Sequence, residues 1–145
     1  IKINKGMSIS EIENEIIEEF SMFDDWMEKY EHIIELGKEL PIIEEDQKTN
    51  ENIIKGCQSR VWLHAEKENG IISYSADSDA IITKGIIALL IRVLNHQNPK
   101  EIVDAKLEFI DKIGLKEHLS PTRSNGLVSM VKQMKVYALL MQQTA

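Results

Sequence analysis

The sequence predicts a single α+β domain, a small antiparallel sheet packed against helices. Three observations predict it. Apolar residues recur at helical spacing near both ends of the chain. Between them the period changes to two over 61–66, and Asn69-Gly70 then supplies a hairpin turn signal. Helices, a strand pair, then helices is a segregated order, unlike the alternation that builds a parallel βαβ sheet.

Ser8-Ile9-Ser10-Glu11 opens the first helix with a capping box, Ser8 pairing with Glu11 or Ser10 with Glu13. Ile9, Ile12, Ile16, Ile17 and Phe20 then share one helical face. A second helix reads through Phe23, Trp26, Met27, Tyr30, Ile33 and Ile34, stops at Gly37 as its C-cap, and is barred from extension by Pro41. A polar loop follows over 41–52. Val61, Leu63 and Ala65 alternate with Trp62, His64 and Glu66, which predicts a strand, and 71–76 is its return. Asp77, Ser78 and Asp79 end that strand and offer a cap to the next helix. Ile81–Leu94 is apolar nearly all round, so that helix is expected to be central and buried. Asn98-Pro99 starts a short helix, and 107–113 is another. Residues 118–126 read as a second polar loop. The last helix places Leu127, Val131, Met134, Ala138 and Met141 on one face.

A chain of 145 residues with 43% hydrophobic content fits one domain with a core of its own. Residues 7–145 are assigned to it, and 1–6 to a frayed tail or appended remnant. The formal net charge is -7, and no Lys/Arg cluster stands out, which argues against nucleic acid as a partner. Ile81–Leu94 is the longest apolar stretch, but it contains Lys84 and Arg92 and is too short to span a bilayer, so no membrane segment is expected. A single cysteine excludes an intrachain disulfide and suits a reducing cytoplasm.

The four histidines are scattered, with no H-x-x-x-H or C-x-x-C pair, so no metal site is expected. Neither phosphate-binding glycine motif occurs. Paired acids such as Glu18-Glu19 and Asp24-Asp25 read as solvated faces. The segment 120–124 has anion-binding residue types, but such loops ordinarily serve as turns and caps.

Cys57 carries the chemistry. A lone cysteine is often a small buried hydrophobe. Here Gly56 precedes it with unusual backbone freedom, and Gln58, Ser59 and Arg60 follow at the mouth of a strand, where Arg60 would favour a thiolate. A hydrolase would require a base, for which His64 and His118 are the candidates. Dithiol redox chemistry would require a second cysteine, and a cluster scaffold several. A single thiol can hold an extra sulfur as a persulfide, with no second thiol in the chain to strip it away as a disulfide.

Four segments together resemble the SufE/CsdE family of sulfur-acceptor proteins: EKYEHIIELGKELP (28–41), NIIKGCQSRVWL (52–63), SADSDAIITKGIIALL (75–90) and HLSPTRSNGL (118–127). The resemblance runs from about Trp26 to about Met130. One departure is Ala76, where the family usually has glycine before the aspartate, and there a tighter turn is expected. The resemblance implies a SufE/IscU-like fold without IscU's cluster ligands. It implies a sulfur-relay protein, not a stand-alone enzyme, with Cys57 as the nucleophile that accepts persulfide sulfur. The donor is a cysteine desulfurase, SufS-like or CsdA-like, which the chain also stimulates. The recipient is the SufBCD iron–sulfur scaffold. Pyridoxal phosphate belongs to the desulfurase, and no cofactor is expected here. The expected assembly is a monomer or weak dimer.

Supporting roles fall to Gly56, Gln58, Ser59 and Arg60 in the cysteine loop and to Asp77, Ser78 and Asp79 in the loop facing it. Arg123 steadies anionic sulfur or holds the two loops together. The thiol is expected to sit tucked inward beneath Trp62 or Ile53. Asp77 and Asp79 would disfavour its thiolate, and Asp79 would latch the facing loop by capping the helix that begins near Ala80. The alternative function is a regulatory docking partner of a desulfurase that carries no sulfur.

Overall fold

A computed structural model of the protein describes residues 6–143. Residues 1–5 of the tail expected at 1–6, and residues 144–145, lie outside the described residues. Among those described, seven α-helices surround one β-hairpin, as the order of periodicities predicted. They are α1 (Ile9–Ser21), α2 (Trp26–Gly37), α3 (Ile81–Leu94), α4 (Pro99–Asp104), α5 (Phe109–Lys112), α6 (Leu115–His118) and α7 (Pro121–Gln142). The hairpin is β1 (Val61–Glu68) and β2 (Ile71–Ser78).

Of the two capping boxes on offer, the chain uses the first. The Ser8 hydroxyl accepts from the Glu11 N–H at 3.1 Å, and the Glu11 carboxylate accepts from the Ser8 N–H at 3.0 Å. Glu13 instead accepts from the Phe109 N–H and ties α1 to α5. Phe23 lies between α1 and α2, outside the helix predicted to hold it. Asp25 starts α2 by capping the Glu28 N–H, and Phe23 packs its ring beside Phe20 and His32.

Gly37 ends α2 as expected, for a different reason. Its backbone is not left-handed; Lys38 is the C-cap, in a right-handed conformation. A Cβ on Gly37 would lie 3.0 Å from the Gly85 nitrogen, so this glycine lets α2 and α3 touch.

In the hairpin Val61 pairs with Ser78 and Glu68 with Ile71. Asn69 and Gly70 have φ of 54° and 79°, the mirror-image turn that matches strand twist. Val61, Leu63 and Ala65 face the core, as their alternation demands. β2 runs on to Ser78, two residues beyond its predicted end. Ala76 sits within it, fully buried, and exchanges backbone hydrogen bonds with Pro41 and Ile43. Its methyl therefore fills core, and no tightened turn results.

α3 is the hub, packed against α2, β2, α1 and α7. It is buried on almost every side. Each of its fully buried isoleucines and leucines contributes roughly 1.5–3 kcal/mol by leaving water. Arg92 joins α3 to α1 through Glu15 and Glu19, and Glu19 also accepts from His32 of α2. Tyr74 of β2 donates to the Met134 carbonyl at 2.7 Å and pins the hairpin to α7. Burial pushes its phenol well above the ordinary range.

The predicted polar loop at 118–126 is the largest correction to the fold. Ser120 is the N-cap of α7, with its hydroxyl accepting from the Arg123 N–H, and Pro121 occupies the first helical position. The helix runs straight through Asn125 and Gly126.

Candidate functional site

The cysteine loop is a short excursion with tied ends. The Ile54 N–H donates to the Val61 carbonyl at 2.8 Å, so residues 55–60 form a closed protrusion at the start of β1. Its second limb is clamped to the end of β2. The Arg60 N–H donates to the Asp79 carboxylate at 3.0 Å, and the Arg60 carbonyl accepts from the Asp79 N–H and from the Ser78 hydroxyl. Gly56 has φ +92°, and a Cβ there would lie 2.4 Å from the Ser129 hydroxyl of α7. Both the left-handed backbone and the close approach require glycine.

Cys57 lies half-buried at the tip of this loop. Its thiol points toward the Gly126 carbonyl at 3.6 Å. A Cβ on Gly126 would come within 3.5 Å of the sulfur, so the glycine in α7 leaves the thiol its space. A cleft of roughly 380 Å³ opens at the sulfur. Gln58 and Ser59 line it from the loop, Thr83 and Ile86 from α3, and Arg123 and Met130 from α7. No carboxylate lines it, and Arg123 is its one cation. The first turn of α7, with its positive dipole end, also faces it.

The electrostatics at rest differ from the sequence reading. Burial alone pushes the Cys57 thiol above its ordinary value, and no neighbouring charge offsets this. Arg60 is exposed and does not line the cleft, so it does not draw out a thiolate. Asp77 and Asp79 do not line it either. Asp77 is engaged by Lys48 at 2.7 Å and Lys84 at 3.4 Å. Burial raises its pKa, but the Lys48 and Ser78 hydrogen bonds and the two ammonium charges outweigh it and hold the carboxyl below the usual range.

Asp79 does not cap α3. Ala80 is the N-cap, no side chain caps the helix, and the Ser78 hydroxyl accepts the Ala80 N–H. Asp79 acts on the cysteine loop instead, by holding Arg60. The cover over the thiol comes from α3 and α7. Trp62 lies under the Lys48 ammonium, and Ile53 lines a different groove.

Arg123 is steadied by Tyr30 of α2. Its Nη1 donates to the Tyr30 hydroxyl, and its guanidinium lies 6.0 Å from the Tyr30 ring centre. Beside them Trp26 stacks on His118 at 4.3 Å, which braces the approach to α7 against α2. Neither candidate base reaches the cleft: His64 pairs with Glu66, and His118 bonds the Gly114 carbonyl. Among the described residues, no three His, Cys, Asp or Glu side chains gather in a metal-binding group. No described helix is long and apolar enough to cross a membrane.

Residues 14–138 match the SufE family, described as an Fe-S metabolism associated domain. The chain belongs to the SufE family. An uncharacterised SufE-like protein of Rhizobium etli is 44% identical over 128 residues, covering 84% of this chain and 86% of its own. One from Rhizobium meliloti is 41% identical over 128 residues, covering 84% and 91%. One from Synechocystis is 39% identical over 127 residues, covering 88% and 80%. The solution structure of a hypothetical protein from Thermus thermophilus superposes with a TM-score of 0.77, covering 92% of this chain and 97% of that one. At 18% identity it speaks for the α+β fold alone.

The four segments that carried the SufE resemblance converge in space. Segment 118–127 supplies the cleft wall, 52–63 the thiol, 75–90 the clamp and the α3 wall, and 28–41 the Tyr30 brace. Sequence reasoning missed Tyr30, Thr83, Ser120, Gly126 and Met130 as site residues. The Ser120-Pro121 pair was a readable helix start, and a glycine six residues into that helix was a readable sign of close approach.

Proposed function

We propose that this SufE-family protein is a sulfur carrier that accepts sulfane sulfur on Cys57 from the persulfide of a cysteine desulfurase. The observation that supports it best is the placement of the chain's one thiol in an acid-free cleft beside Arg123. In the reaction the Cys57 thiol gives up its proton and its sulfur attacks the outer sulfur of the donor persulfide. The donor S–S bond breaks and its inner sulfur leaves as a thiolate, which takes up the proton that Cys57 released. One sulfur atom changes hands and nothing is oxidised or reduced overall. The product persulfide is a stronger acid than a thiol and rests as an anion, which Arg123 and the first turn of α7 would stabilise. Pyridoxal phosphate chemistry stays with the donor, and the loaded carrier passes its sulfur to a SufBCD-type scaffold in the cytoplasm.

A second reading has one observation in its favour. The resting thiol is half-buried with a raised pKa, which suits a desulfurase regulator that docks without taking sulfur. Mass spectrometry after incubation with desulfurase and cysteine separates the two. The carrier gains the mass of one sulfur atom, and Cys57→Ser gains none while keeping its fold. Desulfurase stimulation with no adduct on the wild type would establish the regulator.

A further inference from the structure

The outer surface of α7 is chemically unlike the rest of the chain. The protein carries 24 acidic residues, yet Pro121–Gln142 contains none. Its apolar residues occupy two faces. One is buried through Leu127, Met130, Met134 and Ala138. The other is open: Val128, Val136, Leu139 and Leu140 are between 37% and 59% exposed. Positions 128, 132, 136 and 140 follow one another every fourth residue, so Lys132 sits within this strip.

Beside the strip lies a groove of roughly 550 Å³, between α7 and the segment that leads into the cysteine loop. Ile53 and Val136 contribute apolar surface, and Lys55 and Lys132 contribute charge. Glu51 is the one acid in its lining. Neither lysine has an ion-pair partner among the described residues. This groove is separate from the Cys57 cleft but borders the same loop, because its Ser129 is the residue against which Gly56 packs.

We propose that the exposed face of α7 and this groove form a docking surface for an acidic amphipathic helix of a partner protein, whose apolar side covers Val128, Val136 and Leu139 while its carboxylates meet Lys55 and Lys132. Charge complementarity selects this occupant. A second copy of the chain would bring two predominantly cationic surfaces together, each offering only Glu51 to the partner's two lysines. An anionic lipid surface would be repelled by the net charge of -7, and the strip carries no aromatic anchor. The surface does not depend on Cys57 chemistry.

The test uses the isotope-labelled full chain and a synthetic amphipathic peptide with leucines at helical spacing and flanking glutamates. Amide shifts are expected over 50–55 and 128–140. The Lys55→Glu/Lys132→Glu double variant should bind at least roughly tenfold more weakly, while its melting temperature stays at the wild-type value. Cys57→Ser should bind like wild type, so this test and the sulfur-carrier test can fail independently. The proposal is overturned if a peptide with lysines in place of the glutamates binds equally well, or if the shifts map elsewhere. Pelleting of the wild type with phosphatidylglycerol vesicles would make the strip a lipid surface instead. A dimer in sedimentation equilibrium that Leu139→Glu abolishes would assign it to a second copy.

Discussion

Gly85 on α3 and Gly126 on α7 are both buried glycines inside helices, where alanine is ordinarily the better helix former by about 1 kcal/mol. A Cβ on Gly85 would meet the Ile33 carbonyl oxygen at 2.2 Å and its carbon at 2.8 Å. These are backbone atoms of a packed helix and cannot swing away. A Cβ on Gly126 would meet only the Cys57 side chain, with the sulfur at 3.5 Å, an ordinary contact. The first glycine sets the distance between two helices. The second sets the space around a thiol. Burial and helix position do not separate them; what stands opposite the missing methyl does.

The largest expected effect follows from the first. Gly85→Ala must push α2 off α3, an overpacking cost of about 3 kcal/mol against a small gain in helix propensity. Thermal unfolding checks it, and a melting temperature equal to wild type would remove the distinction between the two sites. Gly126→Ala should keep its melting temperature or raise it, by up to about 1 kcal/mol of stability. Its methyl would crowd the sulfur, so iodoacetamide alkylation of Cys57 and sulfur loading should both slow. A loss of stability as large as that of Gly85→Ala would break the comparison, and unaltered thiol kinetics would reduce Gly126 to a tolerated glycine.

The same contrast explains what was legible in the sequence. The hairpin was readable because alternation and Asn69-Gly70 are local signals, and α3 because eleven of its residues are buried and apolar types dominate it. Segment 118–126 was not read as helix, because Asn125 and Gly126 have poor helix propensity and nothing local shows the thiol that favours a glycine there. Tyr30 and Arg123 are 93 residues apart, and only folding reveals that they meet. Cys57 and its loop were legible as the candidate site. The direction of the neighbouring charges was not, since Asp77 turns to Lys48 and Lys84 and Asp79 to a backbone N–H.

Asp79 offers a middle-sized effect. Asp79→Ala removes one exposed charge-assisted hydrogen bond to the Arg60 N–H, which costs about 1 kcal/mol. The Ser78 bond to the Arg60 carbonyl remains, so the loop should loosen without unfolding. Cys57 alkylation should then speed up while Gly126→Ala slows it, and alkylation at the wild-type rate would show that Asp79 does not restrain the loop. The pH dependence gives a parallel check. Burial raises the folded pKa of Cys57, so the folded state keeps its proton where the unfolded chain has lost it. The stabilisation from this thiol is present below the unfolded value of about 8.5 and is lost as pH rises through the higher folded value. The alkylation midpoint should therefore lie above that of an unstructured cysteine peptide. A midpoint at or below the peptide's would mean that charge, not burial, governs the resting thiol.

The smallest effect is expected at Tyr30. Tyr30→Phe deletes the hydroxyl that accepts from Arg123 but keeps the ring beneath the guanidinium. Both side chains are near the surface, and water can take the vacated bond, so stability should change by less than about 0.5 kcal/mol. Arg123 places no resolved charge effect on the resting thiol, so the alkylation midpoint should stay put in Tyr30→Phe and in Arg123→Ala alike. The cation matters once the cleft holds an anion. Sulfur loading from a desulfurase should therefore slow in Arg123→Ala, and slow less in Tyr30→Phe, where the guanidinium remains but is free to swing. Equal slowing in the two variants would show that the hydroxyl, not the ring, fixes the cation. Loading at the wild-type rate in Arg123→Ala would reduce the whole Tyr30–Arg123 contact to packing between α2 and α7.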